Sequence, residues 1–523
     1  MSSSSSVTVP GSSGSTVVVA PGTGDVLHLA AAIGYLLGTE STSGGLGITT
    51  VSGPGPITAA PTVPGQQQEL LITGTGFSGT IPGGYQAVVN DATTPSTLTG
   101  ANVDIVGNAV GSNYNVTGNS TVAATGGNNT VTASGNYILS FGPGNDSISA
   151  TGSGTVATGN GTSTVFASGG PNVVQSNGSG DLIVSGSGST TVNSSGASVG
   201  VLGVTGTLTA SLTGNFATIS AGNANTTVTT SGNNAVVFGG NGTGTGTLNV
   251  TNTGNNNIID TFSANSTINS SGGNAEIVGG SGTANITVGG SNSTVIGGAG
   301  AETVNASSNA LVFASSGPLT FVGGAGTATL VGATGGTEQV TVGTGGLVFG
   351  SGVNNTSTIT GGAGVTTVFG SSGANITFLD NGFAGGILRA GSGAETLNAS
   401  GSSSTNILAG GTDSTGSALL EGGSGSDTYF VGAGADTLVG GSGANIFAFF
   451  ATNTTGKQDY VTGFTTNDEV LLKGYSSADS ATNLVANATV SSAGVTLTLS
   501  DNTKITFTGL TSTTPLDGHI LSV

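Results

Sequence analysis

Two aspartates nine residues apart, Asp427 and Asp436, each close a glycine-rich run in the stretch Gly422–Phe450. The stretch divides into GGSGSDTYF, VGAGADTLV and GGSGANIFA, three nine-residue units laid end to end, and the third carries Asn445 where the others carry aspartate. A carboxylate at the end of a tight glycine turn, beside carbonyls that the glycines point inward, offers oxygen ligands of the kind hard cations take. One turn holds too few oxygens for such an ion, so two stacked turns must share it. The candidate ligands are Asp427, Asp436, Gly423, Gly425, Gly432, Gly434 and Asn445, with Asp146 of FGPGNDSIS (Phe141–Ser149) as an upstream relative. A plain turn-forming role accounts for these aspartates as well. Elsewhere the same place holds Glu302, Glu395, Thr366, Ala328 or Ala284. Glutamate is one methylene longer and is expected to suit the tight turn poorly.

The elements that must position these residues are short strands. Ile277, Ile286, Val295 and Val304 are spaced by nine, as are Tyr429, Leu438 and Phe447, and an eight-to-nine spacing runs upstream through Val122, Val131, Leu139, Ile148, Val156, Val165, Val174, Ile183 and Val192. Between the apolar anchors lie Gly, Asn, Ser and Thr. A strand of four or five residues followed by a Gly/Asn turn cannot bury a face alone, but stacked copies bury one continuous thin core. The expected fold is all-β: an elongated β-solenoid, a parallel β-roll or β-helix, with small N-terminal and C-terminal flanking regions. If the unit is half a coil, each coil has two strands, and Asp427 stacks on Asn445, eighteen residues on, rather than on Asp436; three strands per coil is the alternative. Uneven spacing over 199–260 suggests a changed cross-section there. A Gly/Ser/Thr linker is the bland reading, but a linker need not hold Val and Ile in phase for so long.

Three regions follow. Residues 1–110 lose the phase, carry proline clusters and suggest one short helix at 26–37; residues 111–456 form the solenoid; residues 457–523 form a β cap with a hairpin turning at Asp501-Asn502. SVTVP and STVVVAP near the N-terminus are candidate donor strands between copies.

Composition narrows the function. Of 523 residues, 99 are glycine and none is cysteine, and four cations stand against 23 carboxylates for a net charge of -19. Nucleic acid needs a basic stripe that is missing here, and the balance equally opposes docking on anionic lipid. Val26–Leu37 is too short to span a bilayer. The two histidines, His28 and His519, lie near opposite chain ends, so no nucleophile–base–acid set is available, and no enzyme is expected.

On these units the chain resembles the RTX family of haemolysin-type calcium-binding nonapeptide repeats: Gly422–Phe430 fits every fixed position and Val431–Val439 all but the first glycine. GKQDYVTGFTTNDEVLLKGY is similar to the segment that follows the last repeats in many such proteins, with Asp459, Phe464, Asp468, Val470 and Leu472 at matching places. The terminus DGHILSV is similar to the family's uncleaved export signal. The resemblance implies Ca2+ as ligand, type I export from a Gram-negative bacterium, and an extracellular or cell-surface location. The expected function is a structural subunit of a surface layer, fibre or biofilm matrix, with calcium-dependent folding or assembly. Its expected partners are further copies of itself, as an oligomer or polymer, and cell-surface polysaccharide, with no nucleic acid and no membrane insertion. An adhesin or glycan-binding stalk is the alternative. Ice binding would need T-x-T at one place in every coil, and TVT (227–229) and TST (356–358) recur too irregularly for that.

Overall fold

The computed structural model describes residues 7–10, 16–19, 25–240, 246–379 and 385–523. It is 49% strand and 5% helix and holds about 22 turns of parallel β-solenoid, in two compact units, Met1–Asn265 and Ser266–Val523. The coils have two strands. Ile277 pairs with Val295 in one sheet and Ile286 with Val304 in the other, so successive nine-residue anchors fall on opposite sheets and residues eighteen apart stack. Both anchor columns are buried; alternate residues on each short strand face outward, as the two-residue period of a strand requires.

In the first unit, parallel pairing already begins between Leu46–Ser52 and Gln67–Gly74, inside the region whose sequence lacks the nine-residue phase. The helix runs over Asp25–Ser43, longer than the expected 26–37, and Gly44 at φ 77° ends it. Its Ile33 and Leu37 cover the outer sheet face made by Leu71, Val89 and Val106. Val7–Pro10 and Thr16–Val19, expected as donor strands, pair antiparallel with each other.

The cross-section changes at 113–176 rather than at 199–260. Asn113–Ala124, Thr130–Phe141, Ser147–Thr158 and Thr164–Ser176 are single strands that serve both sheets by turning a corner at glycine. Gly152, at φ 127°, stands where a Cβ would meet the Gly135 carbonyl oxygen at 2.2 Å; only glycine allows both the dihedral and the approach. From Leu182–Ser185 onward the strands are separate and step by eighteen residues to Gly200–Gly203 and Thr218–Ser220.

The second unit ends as the alternating sequence predicts. Gly494–Thr498 and Lys504–Thr508 form an antiparallel hairpin with Asn502 at φ 68° in its turn. Lys504–Thr508 also pairs parallel with Gln458–Thr462, so the hairpin closes the last coil and covers what would otherwise be an open sheet edge. Among the described residues no helix is long and apolar enough to cross a membrane.

Candidate functional site

The sixth residue of each nonapeptide sits at the coil corner, just before its strand or at the strand's start, with its side chain turned inward. Asp427 shows what this position does. Its Oδ1 accepts the backbone N–H of Asn406 at 2.7 Å, one coil before, and the Asn406 side-chain amide at 3.0 Å; its Oδ2 accepts the N–H of Gly423, the second glycine of its own unit, at 2.9 Å. The N–H of Asp427 donates in turn to Asn445 Oδ1 at 2.9 Å. Asn445 then donates its own N–H and its side-chain amide to Asp468 Oδ1, at 2.8 and 2.9 Å. Gly386, Asn406, Asp427, Asn445 and Asp468 therefore form one ladder along this corner, since the Gly386 N–H donates to Asn406 Oδ1 at 3.0 Å. Amide and carboxylate alternate in it.

The opposite corner repeats the arrangement. Asp436 Oδ1 accepts from Ala418 N–H and Oδ2 from Gly432 N–H, both at 2.8 Å, and the Asp436 N–H donates to Asp459 Oδ1 at 2.9 Å. Asp427 and Asp436 thus lie on different corners, as the two-strand coil requires. Gly423 and Gly432 act through their N–H groups. Gly425 and Gly434 leave room for the preceding coil: a Cβ at either would lie 2.2 Å from a carbonyl oxygen, of Ser404 and Gly416 respectively.

A third run, in the first unit, was legible in sequence only at its aspartates, Asp146 and Asp181. Ser96, Ser112, Asn129, Asp146, Ser163 and Asp181 occupy one corner of successive coils. The N–H of each of the first five donates to the side-chain oxygen of the next, at 3.1, 3.0, 2.9, 3.2 and 2.7 Å in order. Serine, asparagine and aspartate are interchangeable here because each places an acceptor one or two atoms beyond Cβ. A search for carboxylates passes over the serines; the recurrence of these positions every sixteen to eighteen residues was the available signal.

Glutamate fits the turn better than expected. Glu302 Oε1 takes the N–H of Gly298 at 2.7 Å, and Glu395 Oε2 that of Gly391 at 2.6 Å, the same own-turn bond that Asp427 and Asp436 make. The inter-coil bond is what the longer arm gives up: the Ala284 N–H goes to the Ala301 carbonyl instead. Thr366 Oγ1 is buried without a partner, and Ala328 and Ala284 fill the place with apolar surface.

Asp427, Asp436, Asn445 and Asp146 are all buried. Burial pushes the carboxyls of Asp427 and Asp436 up, and the N–H donors pull them partly back. Burial raises Asp459 to about 7 and Asp146 to about 6. Each ladder oxygen of Asp427 and Asp436 already faces at least one N–H, and a cradle of donors has the wrong polarity for a cation, whose ligands must turn acceptors inward. Among the described residues no three carboxylates or histidines converge. In this arrangement Asp427 and Asp436 fit their own hydrogen bonds better than a calcium ion, while Oδ2 of Asp146 and Oδ2 of Asp459 are buried without a partner. The segment with Asp459, Phe464 and Asp468 forms the last coil: the two aspartates end the two ladders, and Phe464 packs on Phe447 and Phe507 with ring centroids 6.1 and 5.0 Å away. The side chain of His28 lies outside the described residues.

The fold is that of a long parallel β-solenoid whose corners are held by side-chain-to-backbone hydrogen bonds. No protein-family model, curated protein or solved structure matches the chain.

Proposed function

We propose that this chain is a structural protein of the bacterial cell exterior, a subunit of a surface layer, fibre or biofilm matrix, of the divergent RTX-like kind that its nonapeptides and C-terminal segment resemble. The observation that supports the reading best is where the charge goes. Carboxylates that would make the surface strongly acidic are spent inside: Glu69, Asp146, Asp181, Glu302, Glu338, Glu395, Asp427, Asp436, Asp459, Asp468 and Asp479 are all buried. What the coils present outward is mostly uncharged and repetitive, suited to many equal contacts rather than to one chemical event. No enzymatic role enters the proposal. Calcium enters it only as an added ligand, because the ladders join the coils through protein groups alone. Electron microscopy of the purified chain with millimolar calcium and with chelator tests the reading. Ordered sheets or fibres support it, and calcium counts as an assembly ligand if they dissolve on chelation. Monodisperse single particles at high concentration in both conditions overturn it.

A further inference from the structure

The two outer faces of the second unit differ in kind. On one sheet, register aligns Thr267, Asn285, Thr303 and Thr320 across successive coils, a polar and hydrated column. On the other sheet many of the outward residues are large and apolar. Phe313, Val331, Val348, Phe369, Ile387 and Phe430 remain between 36% and 45% exposed, where alternation would ordinarily place Thr or Asn. Few charges interrupt this face: Arg389 stands within it, Glu276 at its N-terminal end and Glu469 at its C-terminal end. In the first unit the apolar outer face of Leu71, Val89 and Val106 is covered by a helix. Contiguous apolar surface of this extent marks an interaction site.

The face is corrugated. One column reads Phe313, Val331, Gly350, Phe369, Arg389 and Ala409 in order along the coils; beside it runs Leu311, Thr329, Val348, Thr367, Ile387 and Ile407. Where the first column is small, at Gly350 and Ala409, the second carries Val348 and Ile407. Nothing lies within 4 Å of where a Cβ on Gly350 would stand, so the notch there opens outward.

We infer that this face docks a second copy of the chain, face to face, through a two-fold axis lying between the strands Leu347–Gly350 and Thr366–Phe369. The inference rests on the self-assembly reading above and names the surface that reading leaves open. The axis sets Phe369 over the partner's Gly350, Phe313 over the partner's Ala409 and Ile387 over the partner's Thr329, large against small at these three places, and it sets Leu311 over the partner's Ile407 and Arg389 over the partner's Val331. A two-fold contact of this kind is isologous and needs no second type of surface. The strands from Ser293–Ile296 to Ile446–Phe450 span about 40 Å at ~4.8 Å per strand. With a width of about 12 Å they offer roughly 500 Å² per copy, and two copies reach the ~1,000 Å² that a specific interface needs. A charged partner finds too few counter-charges here, whereas a like, neutral and corrugated surface is what a second copy supplies.

The test uses the full-length chain and the variants Gly350→Val and Phe369→Thr. Gly350→Val fills the notch with a strand-favouring side chain directed into open space, and Phe369→Thr converts the knob to the residue type of the opposite face. Both are expected to keep the wild-type circular dichroism and melting temperature and to weaken self-association in sedimentation velocity by about tenfold or more. If wild type associates and both folded variants associate equally well, this face is not the interface, while self-assembly itself stands. If wild type stays monomeric at about 100 μM, a concentration that populates a dimer with a Kd of that order or tighter, both the interface and the assembly reading fall. Retention of wild type, but not of Phe369→Thr, on neutral lipid vesicles or insoluble polysaccharide, without self-association, overturns the choice of a second copy as occupant.

Discussion

The backbone N–H of Asp427 donates to the side-chain oxygen of Asn445, one coil further along, at 2.9 Å. The asparagine that replaces the nonapeptide's aspartate is therefore a rung. It accepts from Asp427 and donates its amide to Asp468, two tasks that no carboxylate performs together, because an ionised carboxylate has no donor.

Asn445→Asp separates a ladder from a metal site. The substitution keeps the acceptor for Asp427 but removes the amide donor and places a third carboxylate between Asp427 and Asp468. The ladder predicts a loss of about 1–3 kcal/mol at neutral pH, seen as faster hydrogen exchange of the amides at 427–430, with no recovery in calcium. Tighter calcium binding and higher stability in calcium would instead mean that the corners rearrange into an ion site.

Asp427→Ala and Glu302→Ala should differ in size. The first deletes an acceptor for three N–H bonds, from Asn406 twice and from Gly423; the second leaves only the Gly298 N–H unpaired. Buried donors left unpaired cost about 1–3 kcal/mol each. Local opening around 406–430 is therefore expected to rise by at least tenfold more in Asp427→Ala than opening around 298–302 does in Glu302→Ala, read by hydrogen exchange. Equal effects would remove the inter-coil bond from the account.

Stability should rise on acidification. Burial holds Glu69 near 8, Glu395 and Asp459 near 7 and Asp146 near 6, all above the ordinary range near 4 of an unfolded chain. The folded state binds these protons more tightly, so their contribution is fully present below about pH 4 and is lost as pH climbs through 6 to 8. The melting temperature should increase as pH falls from 9 to 5, and Glu69→Gln should flatten the part of the curve near pH 8. A melting temperature that drops over the same range contradicts the sign.

Gly152→Ala and Gly335→Ala contrast two glycines at positive φ. At Gly152 the new Cβ meets the Gly135 backbone, whereas at Gly335 nothing lies within 4 Å. Gly335→Ala should cost about 1 kcal/mol for the dihedral alone, and Gly152→Ala clearly more, since the neighbouring coil must move. Urea unfolding followed by circular dichroism compares them.

The sequence made the repeat legible because each coil must bury one residue per strand, so Val, Ile and Leu return at a fixed step whatever lies between them. With two strands per coil, the same logic stacks Asp427 on Asn445. Two things were hidden. Parallel strands before residue 111 bury both faces, one of them under the helix, so Gln67–Gly74 has the burial pattern eBBBBBie rather than an alternation. The ladder in the first unit was hidden because Ser96, Ser112 and Ser163 do the same work as Asp146 and Asp181, and serine is too common in this chain to stand out.

By itself the sequence determined the class of fold, because hydrophobic burial acts on periodicity and periodicity is written in one dimension; that each coil has two strands rather than three was decided by the strand pairing. Only the tertiary structure decided what the corner aspartates hold. Whether a carboxylate oxygen meets a cation or an N–H depends on the backbone of the next coil, and in this fold stacking brings N–H groups to the place where the turn alone suggested a metal. The tertiary structure likewise decided that Phe313, Gly350 and Phe369 share one outer column, since residues far apart in the chain become neighbours only when the coils stack.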